Sequence, residues 1–174
     1  MPLISLLRWQ FDLTWSLFDF HLGALTDEDY LWEPAAGCWT VRESGDGTWL
    51  ADWEEPEPDP APPATIGWLT WHIGWWWTAA LAAAGGTTPK APGEVAWPGN
   101  AAAAARWLGA LRADWIEVLD RLTEDDLGAP ASFPWENRQD RTFAHMAGWV
   151  NAELMKNAAE VGQLRLLLTA STAS

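Results

Sequence analysis

Three polar side chains interrupt an otherwise apolar stripe near the C-terminal end of the chain. Glu153, Asn157 and Glu160 are spaced by four and then by three residues, which on a helix puts them on one face, beside Leu154 and Val161. Burying such groups costs roughly 1–3 kcal/mol for an unpaired neutral polar group and more for a charge, so the spacing predicts compensating partners. His72 offers one. It stands on the shoulder of a second apolar face, defined by Leu69, Ile73, Trp76 and Ala80. An imidazole facing carboxylates across a helical bundle is a donor set for a divalent metal, and Zn, Ni, Fe and Mn all suit it. A core histidine bonded to a backbone carbonyl or to a glutamate has the same pattern.

The other reactive residue types are less promising. His145 falls opposite the apolar stripe of its segment and is expected to face solvent. His21 lies off the stripe of the first segment, where Phe20 is taken as the inward residue. Cys38 sits in Gly37-Cys38-Trp39-Thr40 with no histidine nearby, so nothing in sequence activates its thiol. Arg42 and Glu43 read as a helix start or a loop ion pair. No GxGxxG, phosphate-binding loop or GxSxG pattern occurs.

Four segments have helical periodicity and would position these residues. The first spans about 3–24, with Leu6, Trp9, Leu13, Leu17 and Phe20 read as its inward stripe. The second spans 65–85, with Thr65 as its cap and Gly85-Gly86 as its stop. It carries no Asp, Glu, Lys or Arg from Ile66 to Gly86. Its length alone would allow a membrane span, but His72, the glycines and the lack of flanking basic residues favour the centre of a bundle. The third spans 100–122, through Leu108, Leu111, Trp115 and Leu119. The fourth spans 140–168, through Met146, Val150, Leu154 and Val161. Residues 32–63 are rich in Pro, Gly and acid, and are expected to wrap the bundle as a loop covering a pocket mouth. No segment has a period-2 pattern with hairpin chemistry. The expected fold is all-α, a four-helix bundle with long connections, in one domain over 1–174. Leu25-Thr26-Asp27-Glu28-Asp29 and Leu122-Thr123-Glu124-Asp125-Asp126 form a weak internal repeat after the first and third helices.

Composition narrows the function. Ten basic against 24 acidic side chains give a net charge of -14, which disfavours nucleic acid. A single cysteine excludes a disulfide framework. The N-terminus lacks the order of a signal peptide, so the cytoplasm is the expected compartment. Sixteen Trp against one Tyr imply a Trp-packed core or an aromatic-walled pocket, with Trp71, Trp75, Trp76 and Trp77 at its rim. The Trp excess of the second helix could also line the twofold contact of a homodimer.

The order of features resembles the DinB-like family of four-helix bundles. The resemblance rests on the Leu25–Asp29 turn followed by Pro34, on Gly37-Cys38-Trp39-Thr40-Val41-Arg42, and on Thr70-Trp71-His72-Ile73. It rests also on the run from Asn151 to Gln163, which ends in Glu160-Val161-Gly162-Gln163. The resemblance implies a divalent metal held by one helix-two histidine and an H-x-x-x-H pair just before a Gly-Gln; related mycothiol-dependent isomerases have a Glu in that pair. His72 then matches the helix-two ligand and Glu160 the last one. Lys156 stands where the first of the pair is expected, and a protonated lysine is no ligand.

Two repairs follow. Glu153 could serve as a ligand, with Asn157 as a weak oxygen donor. Alternatively Lys156 could replace the metal charge by pairing with Glu160. The first is preferred, since Glu153 and Asn157 point further inward than Lys156, and it gives a metal set of His72, Glu160, Glu153 and Asn157 beside Trp76 and Lys156. The implied activity is a transferase or isomerase using a low-molecular-weight thiol such as mycothiol, whose thiolate the metal would stabilise. The alternative is a metal-free bundle that binds a small molecule in a Trp-lined pocket without catalysis.

Overall fold

The computed structural model describes residues 1–135, 138 and 140–172. Four long helices carry the fold: α1 (Leu3–Leu22), α3 (Ile66–Ala84), α4 (Ala101–Arg121) and α5 (Phe143–Thr172), with a short α2 (Asp27–Leu31) after the first. The expected helix boundaries hold to within a few residues. The 32–63 connection departs from expectation. It contains an antiparallel hairpin, β1 (Val41–Glu43) paired with β2 (Trp49–Ala51), closed by a turn with Gly47 at φ 85°. Arg42 lies on this hairpin and pairs with Asp52 at 3.3 Å, so it neither starts a helix nor bonds Glu43. The strands are three residues each, too short for alternation to show in sequence.

Cross-helix contacts set the directions. Asn151 donates to the Leu7 carbonyl, Thr14 approaches Met155, and His21 lies against Gly162, so α1 and α5 run parallel. Arg112 and Asp120 of α4 pair with Asp12 and Arg8, which makes α4 antiparallel to α1. Trp76 of α3 meets both Trp149 and Asn157 of α5.

The two acidic turns share one device. Thr26 and Asp29 exchange bonds at the start of α2, and Thr123 and Asp126 do the same after α4. The sequence repeat is therefore a repeated capping box. Asp27 goes further than a solvated turn residue, since its carboxylate accepts the Ala101 N–H at the start of α4 at 2.7 Å.

The inward face of α1 differs from the sequence expectation. Leu7, Phe11, Thr14, Phe18 and Leu22 are buried, whereas Leu6, Trp9, Leu13, Leu17 and Phe20 face outward. Both sets obey helical spacing. Phe11 is drawn inward by Trp77, on which it packs edge to face with centroids 5.6 Å apart.

Tryptophan also ties the loops to α3. Trp68 donates to the Asp52 carbonyl, Trp71 to Val95, Trp75 to Lys90, and Trp97 back to the Thr70 hydroxyl. Each indole thus buries a large apolar surface and satisfies a loop carbonyl or hydroxyl in one step. No helix among the described residues is long and apolar enough to cross a membrane.

Candidate functional site

Between α3 and α5 lies a cleft of about 1540 Å³, roofed by the 32–63 connection through Trp39, Trp53 and Pro63. All six residues singled out in sequence line it: His72 and Trp76 from α3, and Glu153, Lys156, Asn157 and Glu160 from α5. The i, i+3 and i, i+4 spacings on α5 and the shoulder position of His72 on α3 aim these side chains at one another, as expected.

Asn157 is almost fully buried and organises the polar floor. Its carbonyl oxygen accepts the Trp76 indole N–H at 3.3 Å, and its amide donates to Glu160 Oε2 at 2.8 Å. Lys156 pairs with Glu153 at 3.0 Å and not with Glu160. This corrects the alternative Lys156–Glu160 pair: Lys156 takes the i, i+3 partner, and Glu160 is held by Asn157.

His72 is stacked on Trp68, with centroids 4.9 Å apart and planes 12° from parallel. Its Nδ1 is buried without a hydrogen-bond partner. Burial pushes the imidazole down from 6.5 to about 4, the Lys156 ammonium adds to the effect, and the Asn157 amide opposes it. His72 is accordingly neutral at pH 7.

A stability effect follows. As pH falls below 6.5 the unfolded chain binds a proton at this position that the folded chain refuses, so stability is lost toward acid. Between pH 7.5 and 5 the wild type should lose about 2 kcal/mol more than His72→Gln, read from urea midpoints. Equal slopes for the two proteins would contradict a neutral, buried His72.

The residues do not fit the metal that the resemblance implies. Among the described residues no three of His, Cys, Asp and Glu are grouped to hold an ion. Glu153 is committed to Lys156, and the Asn157 oxygen is committed to Trp76. The Lys156 ammonium already brings a positive charge to the cleft, close enough to act on His72. The expected set of His72, Glu160, Glu153 and Asn157 is brought to one cleft, where Asn157 bonds Glu160, Glu153 pairs with Lys156 and His72 stacks on Trp68.

The aromatic walls differ in part from expectation. Trp75 and Trp76 line the cleft, whereas Trp71 and Trp77 are fully buried beneath it. Trp39, Trp53, Trp68 and Trp149 were missed as lining residues. Trp68 and Trp149 had a signal, their i, i+4 spacings to His72 and to Glu153; Trp39 and Trp53 come from the distant 32–63 connection. His145 is exposed and accepts the Thr142 N–H at the start of α5. Cys38 is buried and bonded to the Ala35 carbonyl. His21 fills the space above Gly162, where a Cβ would lie 2.7 Å from its Nε2. The glycine of the Gly-Gln pair thus leaves room for the His21 ring.

Fold and site together define an all-α bundle with a polar-floored, Trp-walled cleft between two antiparallel helices. The family model of the DinB superfamily matches residues 10–161, and the chain belongs to that superfamily. No curated protein sequence and no solved structure matches the chain significantly.

Proposed function

We propose that this protein is a small-molecule-binding member of the superfamily whose cleft works without a resident metal. The observation that carries this reading is the floor itself: Lys156 and Asn157 engage the carboxylates that a metal would need. A cleft with indole walls and a polar floor suits a ligand with a flat apolar body and a polar end. Lys156, half in solvent, lines the cleft with Lys90 and offers an ammonium to an anionic end. A metal-dependent, thiol-using transferase or isomerase, with mycothiol as the thiol, would require Lys156 and Glu153 to separate first.

The probe for this reading is 1-anilinonaphthalene-8-sulfonate, which combines an apolar aromatic body with a sulfonate. It should quench the indole emission with EDTA present or absent. Lys156→Met should weaken binding about fivefold, the scale of an exposed ion pair. Ala64→Trp, which fills the wall of the cleft, should weaken it at least about tenfold. Binding that survives Ala64→Trp unchanged, or that disappears with EDTA, would overturn the reading.

A further inference from the structure

The cleft face of α5 carries charges in an alternating row. Trp149, Glu153, Lys156 and Glu160 follow one another at spacings of four, three and four residues, so they form one stripe on the helix, and all four line the cleft. The row is incompletely paired. Lys156 has a carboxylate one turn away on either side and takes Glu153, the one that precedes it, which is the favoured order on a helix. Glu160 is half-buried, yet its only hydrogen bond among the described residues comes from the Asn157 amide, and no cation among them pairs with it. His72 supplies none, because its imidazole is neutral at pH 7. The two charges at the rim, Lys90 and Glu57, are exposed and opposite in sign. The floor therefore sets two carboxylates against one ammonium, and a half-buried carboxylate is costly without a cation.

The spacing defines what would complete the row. Side chains four apart on a helix have Cβ atoms about 5–6 Å apart. An α-amino acid holds its ammonium nitrogen and carboxylate carbon about 2.5 Å apart on one carbon, short enough to lie between two such side chains. Opposite charges would then be adjacent throughout, in the order Glu153, Lys156, carboxylate, ammonium, Glu160. We infer that the ligand is a zwitterion of this class, an α-amino acid with a large aromatic side chain, its ammonium held by Glu160 and its carboxylate by Lys156. This rests on the small-molecule reading of the cleft and on the anionic end given there to Lys156; what it adds is the cation. The aromatic side chain finds indole on the same stripe, in Trp149, which packs edge to face on Trp76 with centroids 5.5 Å apart. The net charge of -14 draws a cationic group toward the protein.

Isothermal titration on the full chain tests the inference with three compounds that share one ring: L-tryptophan, indole-3-propionate, which lacks the ammonium, and tryptamine, which lacks the carboxylate. L-Tryptophan should bind at least about fivefold more tightly than either. Glu160→Gln keeps an oxygen for the Asn157 amide and should erase the preference over indole-3-propionate. Lys156→Met should erase the preference over tryptamine. Circular dichroism checks that both variants fold, as expected at partly exposed positions. L-Tryptophan that binds no more tightly than indole-3-propionate, or preferences that survive their respective substitutions, would overturn the inference. Should the naphthalene sulfonate still bind the cleft in that case, the small-molecule reading stands and only the zwitterion is lost. Sulfonate binding that is absent, or that survives Ala64→Trp, defeats that reading and the inference with it.

Discussion

Lys156→His should turn a protein with little affinity for divalent zinc into one that binds it at least about a hundredfold more tightly. Three effects act in the same direction. The ammonium that repels a cation and lowers the His72 pKa is removed. Glu153 loses its ion-pair partner and regains its lone pairs. A second imidazole appears four residues before Glu160, on the same helical face, opposite the neutral imidazole of His72. Isothermal titration with zinc measures the affinity, and proton release on binding reports ligand deprotonation. Lys156→Met separates the two contributions: it removes the repulsion without adding a ligand, so it should recover only a small part of the gain. Adding His72→Ala to Lys156→His should abolish binding. Wild-type protein that binds zinc as tightly as Lys156→His would show that the lysine does not stand in for a metal.

The largest stability effect is expected at a glycine. Gly74 lies in the middle of α3, where glycine costs about 1 kcal/mol relative to alanine in helix propensity. Its reason is Trp107 of α4, whose ring lies so close that an added Cβ would sit 1.8 Å from the nearest ring atom. Gly74→Ala should therefore destabilise by about 2 kcal/mol despite the propensity gain, and Gly74→Val by about 3 kcal/mol. In a Trp107→Ala background the sign should reverse, with Gly74→Ala stabilising by roughly 0.5–1 kcal/mol as propensity reasserts itself. Urea unfolding of the four proteins gives the double-mutant cycle. A stabilising Gly74→Ala in the wild type would mean that the ring does not rest on Gly74.

The helices α1, α3, α4 and α5 were legible from the sequence because their length lets a 3.6-residue period, caps such as Thr65 and Asn100, and stops such as Gly85 reinforce one another. The membership of the site was legible for a related reason. Polar residues at Glu153, Asn157 and Glu160 interrupt an apolar face, and desolvation cost demands partners for them wherever that face is buried. What the period could not decide was which of two helical stripes on α1 turns inward. Leu6-Trp9-Leu13 and Leu7-Phe11-Thr14 repeat alike, and the second is selected by α5, which meets Leu7, Thr14 and His21, together with Trp77 on α3, which meets Phe11. Nor could it choose the partner of Lys156. Glu153 and Glu160 are both within one turn; in the folded chain Lys156 pairs with Glu153, while Asn157, anchored by Trp76 from another helix, holds Glu160. Local spacing determines which residues share a face. Which face is buried, and which of several equivalent partners is free, depends on atoms distant in sequence, and that was decided by the tertiary structure.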